Sequence, residues 1–521
     1  MIFTQAIQRN SLLYKDNIAT CIGGNKKTWR ELEQRVAKLA NALISSGIKP
    51  GDRVAILALN SDRYLEYYYA VAWAGAVMVP LNIRWSVKEN LFAVNDSGTK
   101  ALFIDDQFLS IGKSLQQLSE NVEISIYMGD KPTPASMLNY EELINKHAAI
   151  EPFNSDENDL IGIFYTGGTT GFPKGVMLSH KNIWTSSFSI LQELKLSNRE
   201  TPVMLCAGPM FHLAAAAMCW SSVIGSVQVS ILPMFKAEEV LECIQRDEVT
   251  DMLLVPTMIS MLLAEGGFKD YDLSSLDQII YGASPMPEGT LLEAMELMPK
   301  VKFCQAYGQT EMSPICAILP AKYHTLTGEN AGKIRSAGRQ SFINQIAIKD
   351  EKGNSLGINE VGEICAKGPN IMMGYWNNPE QTQAAIKNGW LHSGDAGYMD
   401  DDGFIFLVDR VKDMIVSGGE NVFSAEVESA ISKFPGVHEV AVIGIPSEQW
   451  GEAVHAIVRT KPNTRCDEIE IIQFCREYIA GYKVPRSIEF REEPFPITGA
   501  AKIQKNVLRK SYWKNQERNI N

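Results

Sequence analysis

The sequence predicts an α/β fold with a large body and a smaller tail, and three observations carry that prediction. The chain has 521 residues, too many for one ordinary domain of roughly 100–200 residues. Helix-period and strand-period segments alternate up to about residue 330, the pattern of a mostly parallel sheet with helices on its faces. Charge is distributed unevenly. Residues 411–521 hold 15 basic and 15 acidic residues, so the net charge of −12 lies wholly in the first 410, with 34 basic against 46 acidic. The domain boundary is therefore placed at Arg410 to Lys412, dividing the chain into 1–410 and 411–521.

The elements follow in order. Thr28 to Gly47 reads as a helix, with a Thr cap, Glu31 at the third helical position, apolar residues at three- and four-residue spacing and a Gly stop. Asp52 to Leu59 is a short buried strand, Asp62 to Gly75 a helix and Val77 to Pro80 a strand. The alternation returns with helices at Phe188 to Leu194, Ala237 to Asp247 and Leu291 to Leu297, and strands at Val227 to Leu232 and Asp251 to Val255. In such sheets ligands sit beyond the carboxyl ends of the strands.

From about Ala331 the texture changes to short β-rich runs, Asn344 to Lys349, Gly362 to Lys367 and Ile405 to Val408, separated by turns such as Asp402-Gly403. They predict an antiparallel subdomain or small barrel over about 331–410. The tail is mixed again, with helices at Ser424 to Lys433 and Cys466 to Tyr478 and a strand at Val437 to Gly444.

Composition excludes several classes. Hydrophobic residues make up 45% and charged residues 21%, which rules out a disordered or fibrous chain. The acidic balance gives no basic footprint for nucleic acid, so anions must be met by local features. Nine single cysteines with no C-x-x-C spacing argue against a disulfide framework or structural zinc and for a reducing compartment. No apolar signal segment or membrane span is visible, the richest stretch, Tyr67 to Pro80, reading as a buried helix running into a strand. The expected location is the cytoplasm.

The apolar run Leu160 to Phe164 leads into Tyr165-Thr166-Gly167-Gly168-Thr169-Thr170-Gly171-Phe172-Pro173-Lys174-Gly175. Free backbone N–H groups, threonine hydroxyls and one ammonium suit a phosphate chain. Phe172-Pro173 before the lysine, and no Ser or Thr after it, set the loop apart from a Walker A sequence. A surface hairpin turn is the bland alternative.

At this loop the chain resembles the adenylate-forming superfamily of acyl-CoA synthetases, 4-coumarate–CoA ligases, firefly luciferase and nonribosomal-peptide adenylation domains. Gly167 stands where Ser is usual. The resemblance continues through Tyr281-Gly282-Ala283-Ser284-Pro285, similar to an adenine-contacting strand and turn, and Tyr307-Gly308-Gln309-Thr310-Glu311. It implies that Tyr307 packs on adenine, Thr310 binds phosphate and Glu311 holds Mg²⁺. A ring offers a stacking face and a carboxylate suits a hard cation; alone, Tyr307 would read as core and Glu311 as a solvated helix residue. Trp390-Leu391-His392-Ser393-Gly394-Asp395 resembles the segment whose Asp binds the ribose hydroxyls, with Arg410 also reaching ribose and phosphate. An Asp beside Gly is otherwise a turn former.

Asp409-Arg410-Val411-Lys412-Asp413 is similar to the family hinge, with Lys412 at the pivot. The resemblance implies two α/β subdomains of doubly wound type, a small β-barrel-like subdomain and a mobile α+β C-terminal domain. Rotation of that domain would bring first Lys502 and then the face of Ser417-Gly418-Gly419-Glu420-Asn421 to the site. Lys502 lies in Pro496-Ile497-Thr498-Gly499-Ala500-Ala501-Lys502, where Ala501 replaces the usual Gly. It would neutralise charge at the reacting phosphate; the alternative is a solvated basic patch with Lys505, Arg509, Lys510 and Lys514.

The implied reaction is ATP-dependent activation of a carboxylic acid followed by transfer to CoA. Amino-acid-activating relatives carry Asp after the aromatic residue of Pro209-Met210-Phe211; His212 stands here, so an amino acid is disfavoured. His212 would contact the carboxylate or gate the acyl channel, or is structural. The run Leu213 to Met218 leaves room for a hydrocarbon or is close packing. The chain, particularly Lys412 to Glu428 and Gly481 to Pro485, looks most like bacterial medium- and long-chain fatty-acid–CoA ligases. The alternatives are an aryl or phenylpropanoid CoA ligase, or an adenylation enzyme loading a carrier protein. Weak association with a membrane surface and homodimerisation are compatible with the resemblance.

Overall fold

The computed structural model describes residues 1–166, 173–198, 200–284, 286–410, 413–417, 420–447, 449–462, 464–497 and 503–513, with backbone alone at 409, 410, 416 and 421. It is a mixed α/β structure, as the alternation predicts. Two large sheets form the body. The first has eight strands in the order Gly374–Tyr375, Lys174–Ser179, Leu160–Thr166, Val77–Pro80, Arg53–Leu57, Thr99–Ile104, Ile124–Tyr127 and Leu138–Asn139. It is parallel except for the ladders joining its first three strands.

The second has nine strands: Arg339–Gln340, Ala317–Leu319, Lys302–Tyr307, Gln278–Gly282, Asp251–Leu254, Val203–Cys206, Gln228–Ile231, Ile18–Ile22 and Asn25–Thr28. Its central strands are parallel. Ile18–Ile22 pairs with Gln228–Ile231, Thr20 opposite Val229. The amino-terminal hairpin thus completes a sheet built mainly from residues 200 to 340, a pairing that no local pattern announces.

Local signals explain most boundaries. The helix Trp29–Ser45 starts on a capping box in which Glu31 N–H donates to Thr28 Oγ1 at 3.2 Å and Thr28 N–H to Glu31 Oε2 at 2.7 Å. Asp62–Trp73 runs to Gly75, whose φ is +73°, and then into Val77–Pro80. Its Tyr64, Tyr67, Tyr68 and Tyr69 are all fully buried, so this helix lies inside the body. His180–Glu193 starts eight residues before the predicted Phe188, because Ser179 and Asn182 form a capping box with Asn in the place of Glu or Gln. Its buried face includes Thr185, Ser186, Ser187 and Ser189, which hides the apolar period. Glu468–Cys475 is shorter than predicted, beginning where Asp467 caps it.

The antiparallel region is a five-stranded sheet of Gln345–Lys349, Gly362–Lys367, Trp390–Met399, Ile386–Lys387 and Ile405–Arg410. The last sheet joins Glu420–Val422, Ile415–Ser417, Gly451–Thr460 and Val437–Ser447, with Ser487–Phe490 parallel to Gly451–Thr460. Ile415, Val427, Ile431, Val442, Val454 and Ile471 form its own core. Among the described residues no helix is long and apolar enough to cross a membrane.

Candidate active site

Two neighbouring parallel strands, Gln278–Gly282 and Lys302–Tyr307, end side by side with Gly282 opposite Ala306. The segments Gly282-Ala283-Ser284 and Gly308-Gln309-Thr310-Glu311 therefore leave the same edge of the sheet, where α/β folds bind ligands. A Cβ on Gly282 would stand 2.2 Å from Ala306 O, and one on Gly308 2.0 Å from Pro314 O, so close backbone approach requires both glycines. Ala283 has φ +67°, a left-handed conformation uncommon for a residue with a Cβ.

Tyr307 joins this edge to the antiparallel sheet. Its ring is 8% exposed and its O–H donates to Asp395 Oδ2 at 2.8 Å across 88 residues of sequence. Burial first, and the Asp395 carboxylate second, push the phenol well above its ordinary range, so the group stays a donor. Asp395 is 9% exposed and lies within the strand Trp390–Met399, register partner of Arg410. A simple turn-forming role for it is therefore excluded. Asp395 N–H donates to Ser393 Oγ at 3.0 Å, and Gln309 Nε2 to Ser393 O at 3.4 Å.

The hairpin that carries Lys174 is assembled differently. Leu160–Thr166 and Lys174–Ser179 are antiparallel with Thr166 opposite Lys174, so the glycine-rich loop joins two paired strands. Thr310 and Glu311 occupy the 3₁₀ turn Thr310–Met312. Tyr375 links them to the hairpin: its O–H donates to Glu311 Oε1 at 2.9 Å, and Lys174 Nζ lies 5.1 Å from the centre of its ring. Asn370 Nδ2 donates to Met312 O at 2.7 Å and Ile315 O at 3.0 Å, and Met372 N–H to Glu311 O at 3.0 Å, fixing the turn from behind. Glu311 is a half-buried oxygen donor with one oxygen engaged by Tyr375, which fits a hard cation such as Mg²⁺.

His212 is the N-cap of Leu213–Ile224, its Nδ1 accepting from Ala214 N–H at 3.3 Å. Ala215, Ala216, Ala217 and Met218 behind it are buried. Gly167, Gly168, Thr169, Thr170, Gly171, Lys412, Gly418, Gly419 and Lys502, together with the side chain of Arg410, lie outside the described residues.

Residues 7–376 match the model of the AMP-binding enzymes, and residues 426–502 match that of the AMP-binding enzyme C-terminal domain. The chain belongs to the AMP-binding enzyme family. This AMP-binding enzyme is 37% identical over 497 residues to a feruloyl-CoA synthase of Amycolatopsis sp., covering 94% of this chain and 95% of that one. It is 32% identical to a medium/long-chain-fatty-acid–CoA ligase of Mycobacterium tuberculosis, covering 96% and 88%. Among solved structures, o-succinylbenzoate CoA synthetase from Bacillus subtilis with its acyl-adenylate intermediate superposes with a TM-score of 0.85 at 30% identity, covering 97% of each chain. The same synthetase is also known in complex with ATP and magnesium ion. The AMP-binding enzyme described here is accordingly an acid–thiol ligase of the AMP-forming type, working with ATP, Mg²⁺ and CoA.

Sequence reasoning did not single out Tyr375 or Asn370. The signal available for Tyr375 was an aromatic pair, Tyr375-Trp376, directly after Gly374. For Asn370 there was none, since a lone Asn in a loop carries no pattern.

Proposed function

We propose that this enzyme activates a medium- or long-chain fatty acid as its acyl-adenylate and passes the acyl group to CoA. In the first step a carboxylate oxygen attacks the α-phosphorus of ATP, and the bond to pyrophosphate breaks. In the second the CoA sulfur attacks the acyl carbonyl and AMP leaves. What supports this reading above all is the Tyr307–Asp395 hydrogen bond, because it unites the two segments that the reading assigns to adenine and ribose.

In this reading Gly282, Ala283, Ser284, Tyr307, Gly308 and Gln309 hold the adenine, Asp395 and Arg410 the ribose, and Thr166 to Gly171, Lys174 and Thr310 the phosphates. Glu311 would hold Mg²⁺, which supplies neutralisation of triphosphate charge when bound. Lys502 steadies the reacting phosphate in the transition state. Residues 411–521 turn about Lys412 between the steps, presenting Gly418 and Gly419 to the thioester half-reaction. No protein nucleophile is required, and positioning with electrostatics carries the chemistry.

His212, at the mouth of an apolar helix in place of an acidic residue, favours an acid without an α-ammonium. A second reading, an aryl or phenylpropanoid acid, draws on the higher identity to feruloyl-CoA synthases. A panel of fatty, hydroxycinnamic and amino acids, read by ATP-dependent pyrophosphate release and by hydroxamate formation, separates them. Signal with C8–C18 acids supports the first reading, and signal confined to hydroxycinnamates the second. A panel that yields no hydroxamate defeats both.

A further inference from the structure

The strands Gly362–Lys367 and Trp390–Met399 do not pair evenly. Glu363 faces Ala396 and Cys365 faces His392, so Ile364 alone stands opposite Ser393, Gly394 and Asp395. The segment that carries Asp395 is thus a bulge, the device by which a strand re-aims a side chain. Gly394 within it has φ +74°, in the region that favours glycine.

One carboxylate spans that bulge. Glu363 Oε1 accepts from Gly394 N–H at 2.9 Å, and Oε2 meets His392 Nδ1 at 2.6 Å. The bulge is held from this side by Glu363 and on the other by Tyr307, whose O–H reaches Asp395. Cys365 Sγ lies 3.4 Å from the same His392 nitrogen, and Glu, Cys and His together have the composition of a soft-metal site. The spacing decides otherwise. Donors about 2.0–2.3 Å from a tetrahedral zinc stand more than about 3 Å apart, whereas 2.6 Å is hydrogen-bond distance. Burial also pushes the Cys365 thiol up to about 12, so it stays protonated.

We propose that Glu363 is a positioning residue for nucleotide binding, its carboxylate clamping the His392–Gly394 bulge so that Asp395 is presented to the ribose hydroxyls. This rests on the assignment of Asp395 to the ribose. Glu363 touches no substrate atom, so its effect passes through Asp395 and falls on ribose recognition, leaving the acid untouched.

The test is pyrophosphate release with ATP, 2′-deoxy-ATP and 3′-deoxy-ATP. Glu363→Ala is expected to raise KM for ATP about tenfold, the scale of a lost charged hydrogen bond, with KM for the acid unchanged. Its preference for ATP over the deoxy analogues should shrink towards one. Glu363→Asp, too short to span both contacts, should do the same and serves if the alanine variant does not fold. Glu363→Gln keeps an acceptor for Gly394 N–H and should retain most of the preference. An unchanged preference in the Ala or Asp variant, or equal loss in Asp and Gln, overturns the proposal. Asp395→Ala separates the two claims: if it leaves the preference intact, the ribose assignment itself fails.

Discussion

The two ends of the proposed nucleotide site are built on different principles. At the end proposed for the ribose, Asp395 is fixed by strand register, a bulge and two flanking side chains, and both it and Tyr307 are almost wholly buried. At the end proposed for the phosphates, Lys174 and Glu311 come from separate segments joined through one tyrosine. Lys174 and Tyr375 border a cavity of about 340 Å³ that Trp376 and Asn377 also help to line. A neutral, invariant group such as a ribose rewards a preformed, dry site, because buried hydrogen bonds are strong and orient well. A triphosphate with its cation needs oxygen donors and ammonium groups that keep access to water until the charge arrives, since burying them unpaired is costly.

The comparison can be broken most sharply at the phosphate end. Lys502→Ala is expected to slow adenylation by about 100-fold or more while sparing thioester formation from supplied acyl-adenylate; equal loss in both half-reactions would remove Lys502 from this end. Tyr307→Phe tests the rigid end. It leaves the buried Asp395 short of a donor and should raise KM for ATP about tenfold, with no change in the Mg²⁺ requirement. Tyr375→Phe is the matching test, because the ring remains beneath Lys174 while Glu311 loses its hydrogen bond. The Mg²⁺ concentration for half-maximal rate should rise about fivefold with KM for ATP–Mg little altered. If Tyr375→Phe and Tyr307→Phe shift the same parameter, the two ends are not independent.

The last effect is read in stability and not in rate. His324, hydrogen-bonded through Nε2 to Tyr281 O–H at 2.9 Å on the strand Gln278–Gly282, is held neutral by burial, its value lowered to about 4. The unfolded chain therefore binds this proton more readily. Stability is complete above the ordinary value of 6.5 and falls as pH drops from there towards 4. At pH 5 the loss is about 2 kcal/mol, a few degrees in Tm. His324→Gln should flatten the Tm–pH curve over that interval, and an unchanged slope would place the acid sensitivity elsewhere, His180 being the other buried candidate with a value lowered to about 4.

Much of this was legible in the residues. Capping chemistry placed Trp29–Ser45, and Ala237–Asp247 runs over the predicted range, because the determinants of such helices are local. Gly282, Tyr307 and Glu311 were readable only through the family resemblance of Tyr281-Gly282-Ala283-Ser284-Pro285 and Tyr307-Gly308-Gln309-Thr310-Glu311, since a lone ring or carboxylate carries no pattern of its own. His180–Glu193 was half missed, since a helix that buries serines shows no apolar stripe.

By itself the sequence determined the α/β alternation, the neutral tail and a glycine-rich loop suited to phosphate, since propensity, capping and glycine spacing act over a few residues; the segments assigned to adenine and ribose came only from the family resemblance. Only the tertiary structure decided that Ile18–Ile22 completes a sheet with Gln228–Ile231, that Tyr307 reaches Asp395, that Tyr375 ties Glu311 to Lys174 and that Glu363 spans a bulge. Each of these pairs residues far apart in the chain. Their energy comes from burial and register in the folded state, which no local pattern records.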